Sequence, residues 1–279
     1  MESSTTTEPT TLVNRATLHQ LVVKLLQRKG MFVAEAEIVA DRMIEADQRC
    51  HYCVGVSSLP EYLEVMDLGD IDPRARVITI TETPAMAVLD GSTGMGHVAM
   101  TNGMLTAVEK ADQSGTGTVI IRNSRPGGSL CGIARLAAGK GLIGLVMSSF
   151  EQTACGGAGN PGVAWAVPAP DGRAIADSGD RQSAAGDEVA ALCSLLSAGL
   201  AGADPLPRKR KAVRSANVVE YCLMAISPAK LGSRDAFFSK WTSLWSAAAS
   251  SDTSQVPLQA STAIQLAELA AKIKFAVDW

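Results

Sequence analysis

The apolar positions fall into blocks whose period changes along the chain. Leu18, Leu21, Val22, Leu25 and Leu26 recur at helical spacing, and Gly30 ends the run. Ile38, Val39, Met43 and Ala46 predict a second helix over residues 34–46. The pattern then shortens. Residues 76–81 and 86–89 read as strands, broken by Thr83-Pro84 and closed by a turn at Asp90-Gly91. A helix over 97–113 and a continuous apolar strand over 117–121 follow. Strand, Gly-rich loop, helix and strand then recur, with the loop at 123–128, the helix at 131–138 and the strand at 142–148. This alternation predicts an α/β sheet. A strand at 163–167 leads through Asp177 into a long apolar helix at 184–200. A strand at 218–226 and helices at 234–246 and 260–275 complete the pattern. No repeat or linker interrupts it. The expectation is a disordered tail over 1–11 and one compact unit over 12–279. Within that unit a helical part (12–70) precedes an α/β core (71–228) and C-terminal helices (229–279).

Composition narrows the class. The 279 residues are 47% hydrophobic, 4% aromatic and 19% charged, a profile that buries a sizeable core and does not match disorder. A net charge of −3 gives no reason to expect a nucleic-acid partner. The basic run at 208–211 follows Pro205-Leu206-Pro207 and reads as a solvated loop. The N-terminus has no secretory apolar region, and no run of about 18 apolar residues suggests a membrane span. A cytoplasmic protein with no membrane partner is expected. The six scattered cysteines fit reduced thiols in that compartment.

Candidate chemistry is sparse. Gly91-Ser92-Thr93-Gly94-Met95-Gly96 opens a helix but lacks dinucleotide-loop spacing, so a tight turn is the simpler reading. Residues 156–162 are Gly-rich but lack the Gly-Lys-Ser/Thr ending of a phosphate loop. Cys50-His51-Tyr52-Cys53 has CxxC spacing, yet no second pair exists to complete a zinc site. No metal is expected. The chain has only three histidines, His19, His51 and His97, so acid–base work would fall to one of the latter two or to a carboxylate with a shifted pKa.

Several stretches together resemble one family. Residues 46–62, Ala-Asp-Gln-Arg-Cys-His-Tyr-Cys-Val-Gly-Val-Ser-Ser-Leu-Pro-Glu-Tyr, are similar to the ADLRGHDSHGLSRLPxY motif of the type-2 malate/L-lactate dehydrogenases. Gly69-Asp70-Ile71-Asp72-Pro73 matches that family's G-x-I-x-P, and Asp90-Gly91 with Gly94-Met95-Gly96-His97 resembles its DGxxGxGQ. Residues 118–124 resemble the strand ending in VRNS, and Gly159-Asn160-Pro161 resembles GTNP. The resemblance runs from about residue 12 to 270. It implies a dehydrogenase-like mixed sheet with flanking helices rather than a Rossmann fold. It also implies a homodimer and a small-molecule substrate.

The departures carry the functional expectation. Val54 stands where the family has the histidine of DSHG, and Ser58 where it has a substrate-binding arginine. NSNHFG becomes Asn123-Ser124-Arg125-Pro126-Gly127-Gly128, which puts Pro126 at the active-site histidine. The lysine and glycines of GGxKG, which help hold the cofactor, are replaced around 184–187. Asp177 survives at the position of the family's site aspartate. Reduction of a 2-oxo acid needs a proton donor and a cation for the carboxylate; valine and proline have no side-chain proton to donate, and serine cannot make a bidentate, charge-assisted pair. The expectation is a cofactor-free cyclase or isomerase of secondary metabolism acting on an apolar substrate, with a pericyclic Diels–Alder reaction as one form. Its candidate catalytic groups are Asp177, Arg125, Ser124, His51 and Tyr52. Its candidate substrate-binding residues are Val54, Ser58, Asn123, Pro126, Asn160 and Pro161. The alternatives are an NAD(P)H-dependent reductase of a 2-oxo acid or cyclic imine, and a non-catalytic binding subunit.

Overall fold

The computed structural model describes residues 9–149, 162–171, 174–178, 219–244 and 254–279. Asn14 ends β1 (Thr10–Asn14) and caps α1 (Arg15–Arg28). Its side-chain oxygen accepts from the amides of Ala16 and Thr17 at 2.9 and 3.1 Å, satisfying donors that a helix N-terminus leaves open. The apolar residues that set the period of α1 are buried, and they share a core with Ala36, Val39, Ala40 and Met43 of α2 (Val33–Gln48). α3 (Leu59–Asp67) adds Leu59, Leu63 and Met66.

β1 pairs antiparallel with β9 (Gln255–Gln259), with Val13 opposite Val256. Val13, Val256, Leu258 and, from α8 (Ala260–Lys272), Leu266 enter the same core. Thr10 and Thr11, expected in a disordered tail, are therefore strand. The C-terminal part, expected to be helical, contributes a strand beside its helices. Each of these strands has five residues and finds its partner at the other end of the chain, so local alternation could not reveal it.

The main sheet has seven strands in the order β2-β3-β4-β8-β5-β6-β7. Its members are β2 (Ile78–Glu82), β3 (Met86–Asp90), β4 (Thr116–Ser124), β5 (Ile143–Ser148), β6 (Val163–Pro168), β7 (Ala174–Ser178) and β8 (Val219–Ile226). β3 and β4 are parallel and joined by the crossover helix α4 (Gly96–Ser114); the other pairings are antiparallel. β4 and β5 run in the same direction with β8 inserted between them. The result is an α/β mixed sheet with flanking helices. Met100, Met104 and Ala107 of α4 pack in one core with Val119, Ile121, Leu223 and Ala225. Ile133, Ala134 and Ala137 of α5 (Leu130–Ala138) continue it toward Val146, Ala164 and Ala166.

α6 (Pro228–Leu231) and α7 (Arg234–Leu244) follow β8. The helices expected over 34–46, 97–113 and 131–138 are α2, α4 and α5, with ends shifted by no more than two residues. The helix expected over 184–200 lies outside the described residues. No helix among the described residues is long and apolar enough to cross a membrane.

Candidate functional site

Three loops meet beyond the C-terminal ends of β3 and β4: residues 49–58 after α2, 91–95 after β3, and 125–129 after β4. The first is pinned by Asp47, in the last turn of α2. Its carboxylate is buried and accepts from the Val56 amide at 2.9 Å. Gly55 lies so close to this carboxylate that no Cβ could fit. Burial pushes the Asp47 carboxyl up to about 8, against a smaller downward pull from the Val56 hydrogen bond. The loop folds back as two short 3-10 turns, Tyr52–Val54 and Val56–Ser58.

The side chains on these turns have particular partners. His51 Nδ1 is 3.4 Å from Ser129 Oγ, and Ser129 Oγ also accepts from the Gly132 amide at 3.4 Å as the cap of α5. Burial lowers the His51 pKa, and the Arg49 charge lowers it further. The Tyr52 phenol is pushed up to about 12, first by its hydrogen bond with the Cys50 side chain and then by burial. Ser58 is buried and donates to the Gly55 carbonyl at 2.6 Å. Val54 is half-buried, its carbonyl oxygen near Gly128. Cys50 and Cys53 are exposed, whereas Cys131 and Cys222 are buried.

The β3 and β4 loops are cross-braced. Asn123, with a φ of 53°, donates to Asp90 Oδ1 at 3.0 Å, and its carbonyl accepts from Thr93. Asp90 also receives the Ser92 amide at 2.7 Å and faces Arg122 at 3.3 Å. This network makes the expected turn at 91–95. Gly96, at the start of α4, touches the Arg125 carbonyl oxygen so closely that only glycine fits. The same carbonyl accepts from Tyr221 at 3.1 Å and from Ser124 at 3.3 Å. Tyr62 of α3 donates to the Pro126 carbonyl at 3.2 Å and sets its ring edge-on to His97, centroids 5.5 Å apart.

Two buried basic side chains, one neutral and one charged, lie at the floor. His97 is fully buried, and neither ring nitrogen has a hydrogen-bond partner among the described residues. Its pKa falls to about 3, through burial and then the Arg42 charge, so the imidazole is neutral. Arg125 is 4% exposed, and its Nε and Nη1 likewise lack partners among the described residues. Burial lowers its pKa, partly offset by Asp70. Buried donors of this kind are costly unless something accepts from them.

The loop cluster thus brings together His51, Tyr52, Val54, Ser58, Asn123, Ser124, Arg125 and Pro126. The described sheet does not bring Asp177 to them. It sits in β7, the last strand of the described sheet, opposite Trp165. With strands about 4.8 Å apart, four steps across the sheet separate β7 from β4 by roughly 19 Å. Asn160 and Pro161 lie outside the described residues. Asn123 and Ser58 turn their polar groups inward, which fits bracing better than ligand contact. Asp47 is not among the expected site residues, and His97 is expected only as a possible acid–base group. Their residue types were visible in the motifs, but their burial depends on packing between distant segments.

Comparison with known proteins places this geometry. The profile of the family described as Malate/L-lactate dehydrogenase matches residues 13–177. L-sulfolactate dehydrogenase of Methanocaldococcus jannaschii is 31% identical over 132 residues, 47% of this chain and 38% of that one. Malate dehydrogenase of Pyrococcus abyssi is 38% identical over 132 residues, 47% of this chain and 36% of that one. The matched stretch thus spans little more than a third of either relative. The structure of malate dehydrogenase from Pyrococcus horikoshii superposes with a TM-score of 0.77 at 20% identity, covering 99% of both chains. Δ1-piperideine-2-carboxylate reductase from Pseudomonas syringae gives 0.69 at 16%, covering 93% of this chain and 100% of that one. At these identities the superpositions speak for the fold alone.

Proposed function

The chain belongs to the malate/L-lactate dehydrogenase family, and from that premise we propose that it has given up hydride transfer to a 2-oxo acid. In this reading the loop cluster serves a non-redox step, a cyclisation or isomerisation of an apolar small molecule. The observation that carries the reading is the state of Val54, Ser58 and Pro126. Two have no polar side-chain atom, and the Ser58 hydroxyl is buried and committed to Gly55. A 2-oxo acid needs a cation for its carboxylate and a proton for its carbonyl, and these positions offer neither. Those three positions therefore do not supply the substrate side of a nicotinamide reaction.

What remains suits a different task. An apolar wall with a few buried donors selects a substrate by shape and orients it by one or two hydrogen bonds. Holding a flexible molecule in a near-attack conformation lowers a barrier by proximity, and Arg125 is placed to polarise a carbonyl. A Diels–Alder-type ring closure asks least of the protein, since it needs no proton transfer. Neutral His97 is no proton source near pH 7 but can still donate one N–H. A homodimer in the cytoplasm, acting on a secondary metabolite, completes the proposal.

A second reading, NAD(P)H-dependent reduction of a 2-oxo acid or cyclic imine, draws on the dehydrogenase names of the relatives and on Arg125 as a carboxylate anchor. Calorimetric titration with NADH and NADPH separates the two. Absence of binding at millimolar cofactor is the expected result. Micromolar binding, weakened by Arg125→Gln, would overturn the proposal in favour of the reductase.

A further inference from the structure

Beside the loop cluster, the outer faces of α2 and α5 enclose an open cleft of about 590 Å³. Four guanidinium groups line it: Arg15 from α1, Arg42 and Arg49 from α2 and its C-terminal cap, and Arg135 from α5. Two carboxylates, Asp41 and Glu45, are set among them. Asp41 pairs with Arg15 at 2.8 Å. Glu45 is shared three ways, with Arg42 at 2.6 Å, Arg49 at 3.4 Å and Arg135 at 3.7 Å. Among the described residues, four cations against two anions leave two positive charges uncompensated by the lining carboxylates.

A network of ion pairs alone explains one arginine on Glu45, not three. A single carboxylate neutralises one charge, and the Arg49 and Arg135 contacts are long. Arg42, Arg135 and Glu45 are only about one-fifth exposed, so water screens the excess poorly. The Arg135 guanidinium is destabilised first by burial and then by the Arg49 charge. Holding like charges together in this way is unfavourable until an anion enters.

We infer that this cleft is a binding site for an organic phosphate monoester. The phosphate dianion matches the two uncompensated charges, and the planar guanidinium fork suits phosphate oxygens in bidentate contacts. The volume falls within the range of small-molecule sites and exceeds what inorganic phosphate needs. Leu136 and Ala174 give the organic portion an apolar wall. Arg135 is held in place for this role by its hydrogen bond to the Ala174 carbonyl at 2.6 Å. Its lining includes none of the residues proposed to act in the reaction, so the inference stands whether or not that proposal holds.

Calorimetric titration of the full chain with phenyl phosphate, inorganic phosphate and benzoate tests the assignment. Phenyl phosphate should bind submillimolar, at least about tenfold more tightly than either of the others, because only it combines the dianion with an organic body. Arg135→Gln and Arg49→Gln should each weaken it about tenfold or more, the range expected for a charge-assisted contact. Arg49 is the more exposed of the two, so its variant keeps the test valid if Arg135→Gln fails to fold. Lys24→Gln, on the far side of α1 beside Phe275, should leave binding unchanged. Absence of binding at about 10 mM phenyl phosphate (a Kd well above the millimolar class), equal affinity for benzoate, or full affinity in both arginine variants would each overturn the inference.

Discussion

Asp47 and His97 are both kept neutral by burial, and their effects on stability run in opposite directions with pH. Asp47 titrates near 8 in the folded chain and near 3.9 when unfolded. Its contribution is fully present below about pH 4 and is lost as pH rises through about 8, because the unfolded chain releases the proton first. His97 titrates near 3 when folded and near 6.5 when unfolded. Its contribution is present above about pH 6.5 and is lost as pH falls toward 3. Wild-type stability should therefore peak between these limits and fall on each side, by an amount on the order of a few kcal/mol. Asp47→Asn should flatten the alkaline limb while keeping an acceptor for Val56, and His97→Gln should flatten the acid limb. Thermal melts across about pH 3–9 check this; variant curves parallel to wild type would contradict the assignment. Neither group was recognisable as buried from its neighbours in sequence. Asp47 follows Ala46 on a helix that looks amphipathic, and only the return of Gly55 and Val56 encloses it.

At the level of elements, legibility followed length and locality. α1, α2 and α4 carry their apolar period for three turns or more, so each declares itself. β4 was expected over 117–121 and extends to Ser124 instead. Its last three residues are polar, and they stay in the strand through a register shift against β8 and the bonds of Asn123 and Arg122 to Asp90. β7 has five residues and depends on β6. α3 contains Pro60 in its first turn, where the missing amide hydrogen costs nothing, though in sequence the proline looks like an interruption. The residues of the candidate site were found largely through the family motifs, since spacing alone gives no reason to join positions 54, 58 and 126. One junction merits its own test. Ser129 caps α5 and also contacts His51, so Ser129→Ala should cost about 1 kcal/mol. It should also shift the His51 titration seen by NMR. A stability loss with an unmoved His51 titration would reduce Ser129 to a cap alone.

Across the whole molecule, the helical core and the sheet core are linked by α2, α4 and the loops between them. The β1–β9 ribbon draws both ends of the chain into the helical core. We therefore expect one cooperative unit. Leu258→Ala, at a fully buried position of β9, should cost about 2–5 kcal/mol. That loss should lower a single unfolding transition monitored by both far-UV dichroism and tryptophan fluorescence. An early, separate transition in the variant would show that the helical core melts independently.

The insertion of β8 between β4 and β5 also governs how the chain can assemble. β2, β3 and β4 form one half-sheet and β5, β6 and β7 the other, and among the described residues only β8 joins them. During synthesis both halves emerge before the strand at 219–226 leaves the ribosome. Until then β4 and β5 each expose a long apolar edge that invites pairing with other chains. Assembly of the sheet thus waits on a late, non-local event, and its rate is set by the search of one strand for a slot. A chaperone that shields those two edges, or slowed growth temperature, is where expression of this protein should gain most.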